Sequence, residues 1–121
     1  MSPEEFFYKM LKEGLENYFD TEIIRLTEYD HNGEIFGRPD EIELDLIIKD
    51  DLLIICELGF SMSKGRIYMF DKKVSFYENH HQKKANRKLV IAPLIYPGVV
   101  KIGEKLGIEV YNSVEAVKVI H

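Results

Sequence analysis

The stretch from Glu41 to Leu58 constrains this chain more than any other. Ile42, Leu44, Leu46 and Ile48 fall at alternate positions, the period of a strand with one apolar face. Residues 52–58 read Leu-Leu-Ile-Ile-Cys-Glu-Leu, apolar almost throughout, as a strand buried on both faces requires. Only Lys49, Asp50 and Asp51 stand between the two runs. So short a connection joins antiparallel neighbours and excludes a parallel crossover. A sheet built around such a pair needs cover on both sides, and the flanking segments have the periodicity to supply it.

Ser2 is a natural N-cap and Pro3 suits a first helical turn. Phe6, Phe7, Met10, Leu11, Leu15, Tyr18 and Phe19 then recur at helical spacing, which predicts an amphipathic helix over 3–19. A strand is expected over 22–28, a turn at 29–33 around Asn32-Gly33, and an irregular segment over 34–40 bounded by Gly37 and Pro39. The hairpin follows, with strands at 41–48 and 52–58. A helix from Ser63 to Asn79 would bury Ile67, Phe70, Val74 and Tyr77. Beyond it the pattern gives a short buried strand at 88–94, a helix opened by Pro97 and ended at Leu106 by Gly107, and a strand at 108–111. Ser113 would cap a last turn over 114–119. The predicted order is αβββαβαβ: a single domain over 1–121, of the α/β (α+β) class, with a mixed central sheet flanked by helices. A length of 121 residues suits one core.

The net charge of −5 is unevenly spread. Residues 1–60 hold 5 Lys/Arg and 16 Asp/Glu, a balance of −11, whereas residues 61–91 hold 8 and 2, a balance of +6. Local field, more than net charge, steers a polyanion. No apolar run approaches the ~20 residues of a membrane span, and Met-Ser-Pro-Glu-Glu is not the start of a secretory signal. The lone Cys56 excludes an internal disulfide and reads as a small buried hydrophobe. A cytoplasmic protein without a membrane partner is the expectation.

Two acids stand out on the hairpin. Burying Asp45 and Glu57 among aliphatic residues is costly unless each is paired or binds a cation. A hairpin centred on Asp51 sets them directly opposite, with Cβ atoms about 4.5–5.5 Å apart, close enough to share Mg²⁺ or Mn²⁺, which prefer oxygen ligands. A hairpin centred between Asp50 and Asp51 sends them to opposite faces. Alternation favours the first, since Ile42, Leu44, Leu46 and Ile48 share a parity with Leu52, Ile54, Cys56 and Leu58. The competing reading is that the acids pair with nearby Lys or Arg.

Ser61 and Ser63 precede a helix, where they would cap it or bind a phosphate oxygen. Arg66, Lys72 and Lys73 would extend a strip for a nucleic-acid backbone, and Lys83, Lys84, Arg87 and Lys88 form a second basic group. His80 and His81 have no third N or S ligand nearby and read as helix C-terminal residues that favour the dipole. Tyr68 and Phe76 are expected to pack in a core or interface, with base stacking as the alternative.

In order and spacing these residues resemble the PD-(D/E)XK nuclease superfamily, and in particular its small archaeal members, over roughly 3–112. Asp45 matches the acid of the second core strand, and Glu57-Leu58-Gly59 matches the E-x-K of the third. Ser61-Met-Ser-Lys64 resembles the entry to the following helix, and Lys105 to Tyr111 the tail of the archaeal group. The resemblance implies a restriction-endonuclease-like fold and hydrolysis of DNA phosphodiesters with Mg²⁺ or Mn²⁺. Asp45, Glu57 and the Leu58 carbonyl would hold the metal. Glu13 or Glu16 from the first helix would complete the site, with Glu43 behind Asp45. Small junction-cleaving relatives are dimers, so a homodimer is expected by analogy. The departure is Gly59, where the family has lysine. Losing a preorganised charge of this kind costs ~10²–10³ in rate. Lys64 is the candidate catalytic replacement, five residues on. Three functions follow: a DNA nuclease through Asp45, Glu57 and Lys64; a non-catalytic binding or assembly module on the same fold; and a protein-interaction domain that binds no nucleic acid.

Overall fold

The computed structural model describes residues 1–118. Helix α1 (Pro3–Phe19) leads into β1 (Ile24–Asp30), β2 (Asp40–Lys49) and β3 (Leu52–Leu58). A two-residue strand β4 (Ser61–Met62) precedes α2 (Lys64–His81). The chain then runs through β5 (Arg87–Ile91), β6 (Leu94–Ile95), α3 (Val99–Leu106) and β7 (Glu109–Tyr111). Five strands form one sheet in the order β1-β2-β3-β5-β7. The first three are antiparallel, and β5 and β7 continue it in parallel. This is the mixed α+β architecture that the pattern of elements predicts, and it is consistent with the restriction-endonuclease-like fold that the resemblance implies.

The two faces of the sheet carry separate cores. Leu11 and Leu15 of α1 pack on Ile47, Ile54, Cys56, Leu58, Leu89 and Ile91. On the other face Ile67, Phe70, Val74 and Tyr77 of α2 and Val99 and Ile102 of α3 pack on Leu44, Leu46, Leu53, Ile55 and Val90. β3 contributes to both, which is why nearly all its residues are apolar. Both long helices start as the sequence dictates: Ser2 Oγ accepts from the Glu5 N–H and Ser63 Oγ from the Arg66 N–H, each at 3.1 Å. Among the described residues no helix is long and apolar enough to cross a membrane.

The structure departs from the sequence reading in three places. The strand expected over 88–94 ends at Ile91, and Leu94–Ile95 instead pair with Ser61–Met62 as a separate two-stranded parallel sheet. Pro93, which has no N–H to give to a ladder, lies at the switch. The first strand is shifted by two residues, to Ile24–Asp30 from the expected 22–28, because Tyr29 and Asp30 pair with Glu41 and Asp40. The last turn is capped as predicted, with the Ala116 N–H on Ser113 Oγ, but Val119 lies outside the described residues.

The third departure decides the geometry of the site. Asp45 pairs with Cys56, and Lys49 with Leu52. The hairpin is therefore centred between Asp50 and Asp51, not on Asp51. Both turn residues have positive φ, 50° and 67°, as a two-residue type I′ turn requires. Alternation misleads here because β3 is buried on both faces, so its parity carries no preference. With this register Asp45 faces α1 beside Cys56, and Glu57 faces α2.

Candidate active site

The register would separate the two acids completely were it not for a fork. β2 and β3 are paired from the turn only as far as Asp45 and Cys56. Beyond that point β2 continues with β1 alone, and Glu57 and Leu58 continue with β5 alone. Where the strands part lies a cleft of ≈ 290 Å³. It is reached from one face of the sheet by Asp45 and from the other by Glu57. Glu4, Glu5 and Tyr8 line it from α1, Arg25 and Glu43 from the β1–β2 side, and Arg66 and Lys73 from α2.

Asp45 is 3 % exposed and held by two neighbours. Arg25, its cross-strand partner on β1, donates through Nε to Oδ1 and through Nη2 to Oδ2, both at 3.0 Å. Such a bidentate pair is among the strongest charge-assisted arrangements. The Tyr8 hydroxyl donates to Oδ1 at 3.0 Å, and its ring lies 4.4 Å from the Arg25 guanidinium carbon, within cation–π range. Burial, and then the adjacent Asp45 charge, push the Tyr8 hydroxyl well above its ordinary range, so it stays a donor. Arg25 also donates to Glu43 at 2.7 Å, which makes Glu43 a neighbour of the pair and not of Glu57.

Glu57 meets its cations from α2. Arg66 Nε donates to Oε2 at 2.9 Å, and Lys73 Nζ is 4.0 Å from Oε1. Arg66 and Lys73 are seven residues, two helical turns, apart and so share a face of α2. Arg66 also donates to the Ser61 carbonyl at 3.0 Å and the Leu58 carbonyl at 3.2 Å, and its Nη1 lies 2.9 Å from Glu4 Oε1. Burial works against its charge, but the bonds to Glu57 and Glu4 outweigh it and raise its pKa further.

Among the residues predicted for the site, Asp45, Glu57, Leu58, Glu43, Arg66 and Lys73 line this cleft. Lys64 does not. It leaves the start of α2 toward the β6–α3 connection, where a Cβ on Gly98 would meet its Cε at 2.5 Å. Glu16 serves the fold by accepting from the Ile23 N–H at 2.9 Å and pairing with Lys12, and Glu13 is exposed away from the cleft. Ser63 is occupied as the α2 cap, Ser61 lies in β4 with its carbonyl on Arg66, and Lys72 is exposed. The acids that α1 brings to the cleft are Glu4 and Glu5, which the sequence reading missed. Their signal is the four-residue spacing of Glu4 and Tyr8 on one helix face.

Among the described residues no group of three His, Cys, Asp or Glu side chains is placed to hold a metal ion. The cleft still has an excess of negative charge. Five carboxylates (Glu4, Glu5, Glu43, Asp45, Glu57) face three cations (Arg25, Arg66, Lys73), so two negative charges remain.

A family model described as the PD-(D/E)XK nuclease superfamily matches residues 40–109, more than half of the chain. A second, described as a protein of unknown function (DUF3782), matches residues 1–39. No curated protein and no solved structure matches the chain.

Proposed function

The chain belongs to the PD-(D/E)XK nuclease superfamily, and on that premise we propose that the fork cleft is a divalent-metal-dependent site for hydrolysis of DNA phosphodiesters. The observation that carries the proposal is the pair Asp45 and Glu57, brought from opposite faces into one cleft where five carboxylates face three cations. The donors suit a hard cation, being oxygens. Mg²⁺ is commonly held by one or two carboxylates together with water and substrate phosphate, so two acids suffice. Among the described residues Glu57 Oε1 accepts no hydrogen bond, and Asp45 Oδ2 accepts only one. A bound Mg²⁺ or Mn²⁺ would lower the pKa of a coordinated water and stabilise charge on the phosphate.

The chain's own residues have distinct parts in this scheme. Arg25 and Tyr8 fix the Asp45 carboxylate in one orientation. Lys73 stands on the α2 side of Glu57, where it would offset the charge of an incoming phosphate. α2 also carries Lys72, which with Arg66 and Lys73 forms a basic margin beside an acidic cleft that would draw a polyanion to the rim. The test is cleavage of branched, single-stranded and duplex DNA in Mn²⁺ and Mg²⁺, beside Asp45→Ala. Cleavage by the parent that falls at least ~10²-fold in Asp45→Ala supports the reading. Cleavage that survives the substitution removes Asp45 from the chemistry.

A second reading is favoured by a specific observation. Asp45 and Glu57 are already neutralised by Arg25 and Arg66, and residue 59 lacks the family's lysine. On that reading the domain binds nucleic acid without cutting it, and the same assay returns a retarded but intact DNA.

A further inference from the structure

The space above Gly59 is full. A Cβ placed on that residue would lie within 2.6 Å of both terminal nitrogens of Arg66 and 2.5 Å from Glu4 Oε1. A real Cβ at that place would turn aside the tips of two flexible side chains, Arg66 and Glu4. The guanidinium therefore takes the room that any side chain on residue 59 would enter, and the missing side chain just past the end of β3 and the arginine on α2 are two halves of one arrangement. Arg66 is held there by four acceptors from three parts of the chain: Glu57, the Leu58 and Ser61 carbonyls, and Glu4. Lys64, directed at Gly98, does not reach this space.

We propose that Arg66 is the cation this site uses in place of the side chain absent from Gly59, delivered from α2 instead of from just past the end of β3. The inference rests on the nuclease-type reading of the cleft. Arginine brings properties that lysine does not. Its charge is permanent and its five donors are set in a rigid plane. It can stabilise negative charge and orient a neighbour, and it cannot accept a proton. It also stands on two oxygens, Glu57 Oε2 and the Leu58 carbonyl, that a metal at this site would use, so guanidinium and metal compete. Removing Arg66 therefore acts in opposite directions on binding and on turnover.

The experiment compares the parent with Arg66→Ala, Gly59→Lys and the double variant. It reads Mn²⁺ binding by calorimetry without DNA, thermal melting, and DNA cleavage. Arg66→Ala should bind Mn²⁺ about tenfold more tightly, because a neighbouring positive charge is gone, while cleaving ~10²-fold more slowly. Gly59→Lys alone should melt modestly below the parent, because the lysine turns the flexible ends of Arg66 and Glu4 out of a space they share. The double variant should recover both melting temperature and cleavage, a strong departure from additivity. Unchanged Mn²⁺ affinity in Arg66→Ala, or strictly additive melting shifts, overturns the inference and leaves the Asp45 test of the nuclease reading standing. A parent that cuts no DNA overturns the nuclease reading instead. The Mn²⁺ and melting measurements then still decide whether Arg66 is the cation that fills the space at Gly59.

Discussion

Arg87–Glu109 and Arg66–Glu57 are both arginine–glutamate pairs beside the central sheet, yet they are built differently. Arg87 meets Glu109 fork to fork across neighbouring strands, Nε to Oε2 at 2.9 Å and Nη2 to Oε1 at 2.6 Å, and the Tyr111 hydroxyl adds a third donor. The Arg87 side chain is 5 % exposed. Arg66 gives Glu57 a single bond and spreads its remaining donors over three other acceptors, with its side chain 27 % exposed. The first pair is a clamp with one partner and one geometry. The second is a cation parked among several acceptors, each replaceable by water. The clamp serves the parallel half of the sheet, and the parked cation stands at the fork, where the proposed chemistry would need groups that can change partners.

The comparison is most exposed to failure at the clamp. Glu109→Gln should cost about 3 kcal/mol in urea unfolding, since it strands a buried guanidinium; a loss well below 1 kcal/mol would erase the distinction drawn here. The same pair gives a pH signature. Hydrogen bonds from Arg87, and then Tyr111, hold the Glu109 carboxyl below the usual carboxylate range, against the opposing effect of burial. A depressed carboxylate stabilises the fold above its unfolded pKa of about 4.3 and loses that contribution as pH falls through the lower folded value. The stability gap between parent and Glu109→Gln should thus be full at neutral pH and close progressively in acid.

Arg66→Ala, by contrast, should cost only about 1 kcal/mol, because water replaces the lost bonds at a partly exposed site. A penalty as large as that of Glu109→Gln would make it a second clamp. Replacing Asp50-Asp51 by Asn-Gly should raise stability by about 0.5–1 kcal/mol, since both residues sit at positive φ; a loss on denaturation would contradict the two-residue turn that sets Asp45 on its face. The smallest effect belongs to Lys64→Ala, which should leave stability within about 0.5 kcal/mol of the parent and cleavage unchanged. A large drop in cleavage would return the missing lysine's role to Lys64.

Much of the fold was legible because the hairpin states its own burial. The unbroken apolar run 52–58 announces a central strand, and the helical periods on either side supply its cover. The same run hides the register, because a strand buried on both faces has no polar face to mark parity. Asp50-Asp51 is also a weaker turn signal than Asn-Gly. The two-residue strands at 61–62 and 94–95 were illegible for want of length, each being fixed by its partner and not by its own residues. In the site, Asp45 and Glu57 stood out as acids among aliphatics. Their arginine partners did not, since Arg25 comes from an edge strand and Arg66 reads from sequence as one more charge on a basic helix. Which end of α1 faces the fork follows from packing, so the sequence pointed to Glu13 and Glu16 and passed over Glu4 and Glu5.

The fork has a consequence for its last paired residue. Cys56 closes the β2–β3 ladder opposite Asp45, is 1 % exposed, and has its thiol pKa raised by burial and by the Asp45 charge. A thiol so placed is inert until the strands separate. Its rate of modification by a disulfide reagent therefore reports local opening of the ladder and of the core beneath α1, and the dependence of that rate on reagent concentration separates how often this part opens from how quickly it closes. The protein's only cysteine is in this sense a built-in reporter of how firmly the sheet holds together at the fork.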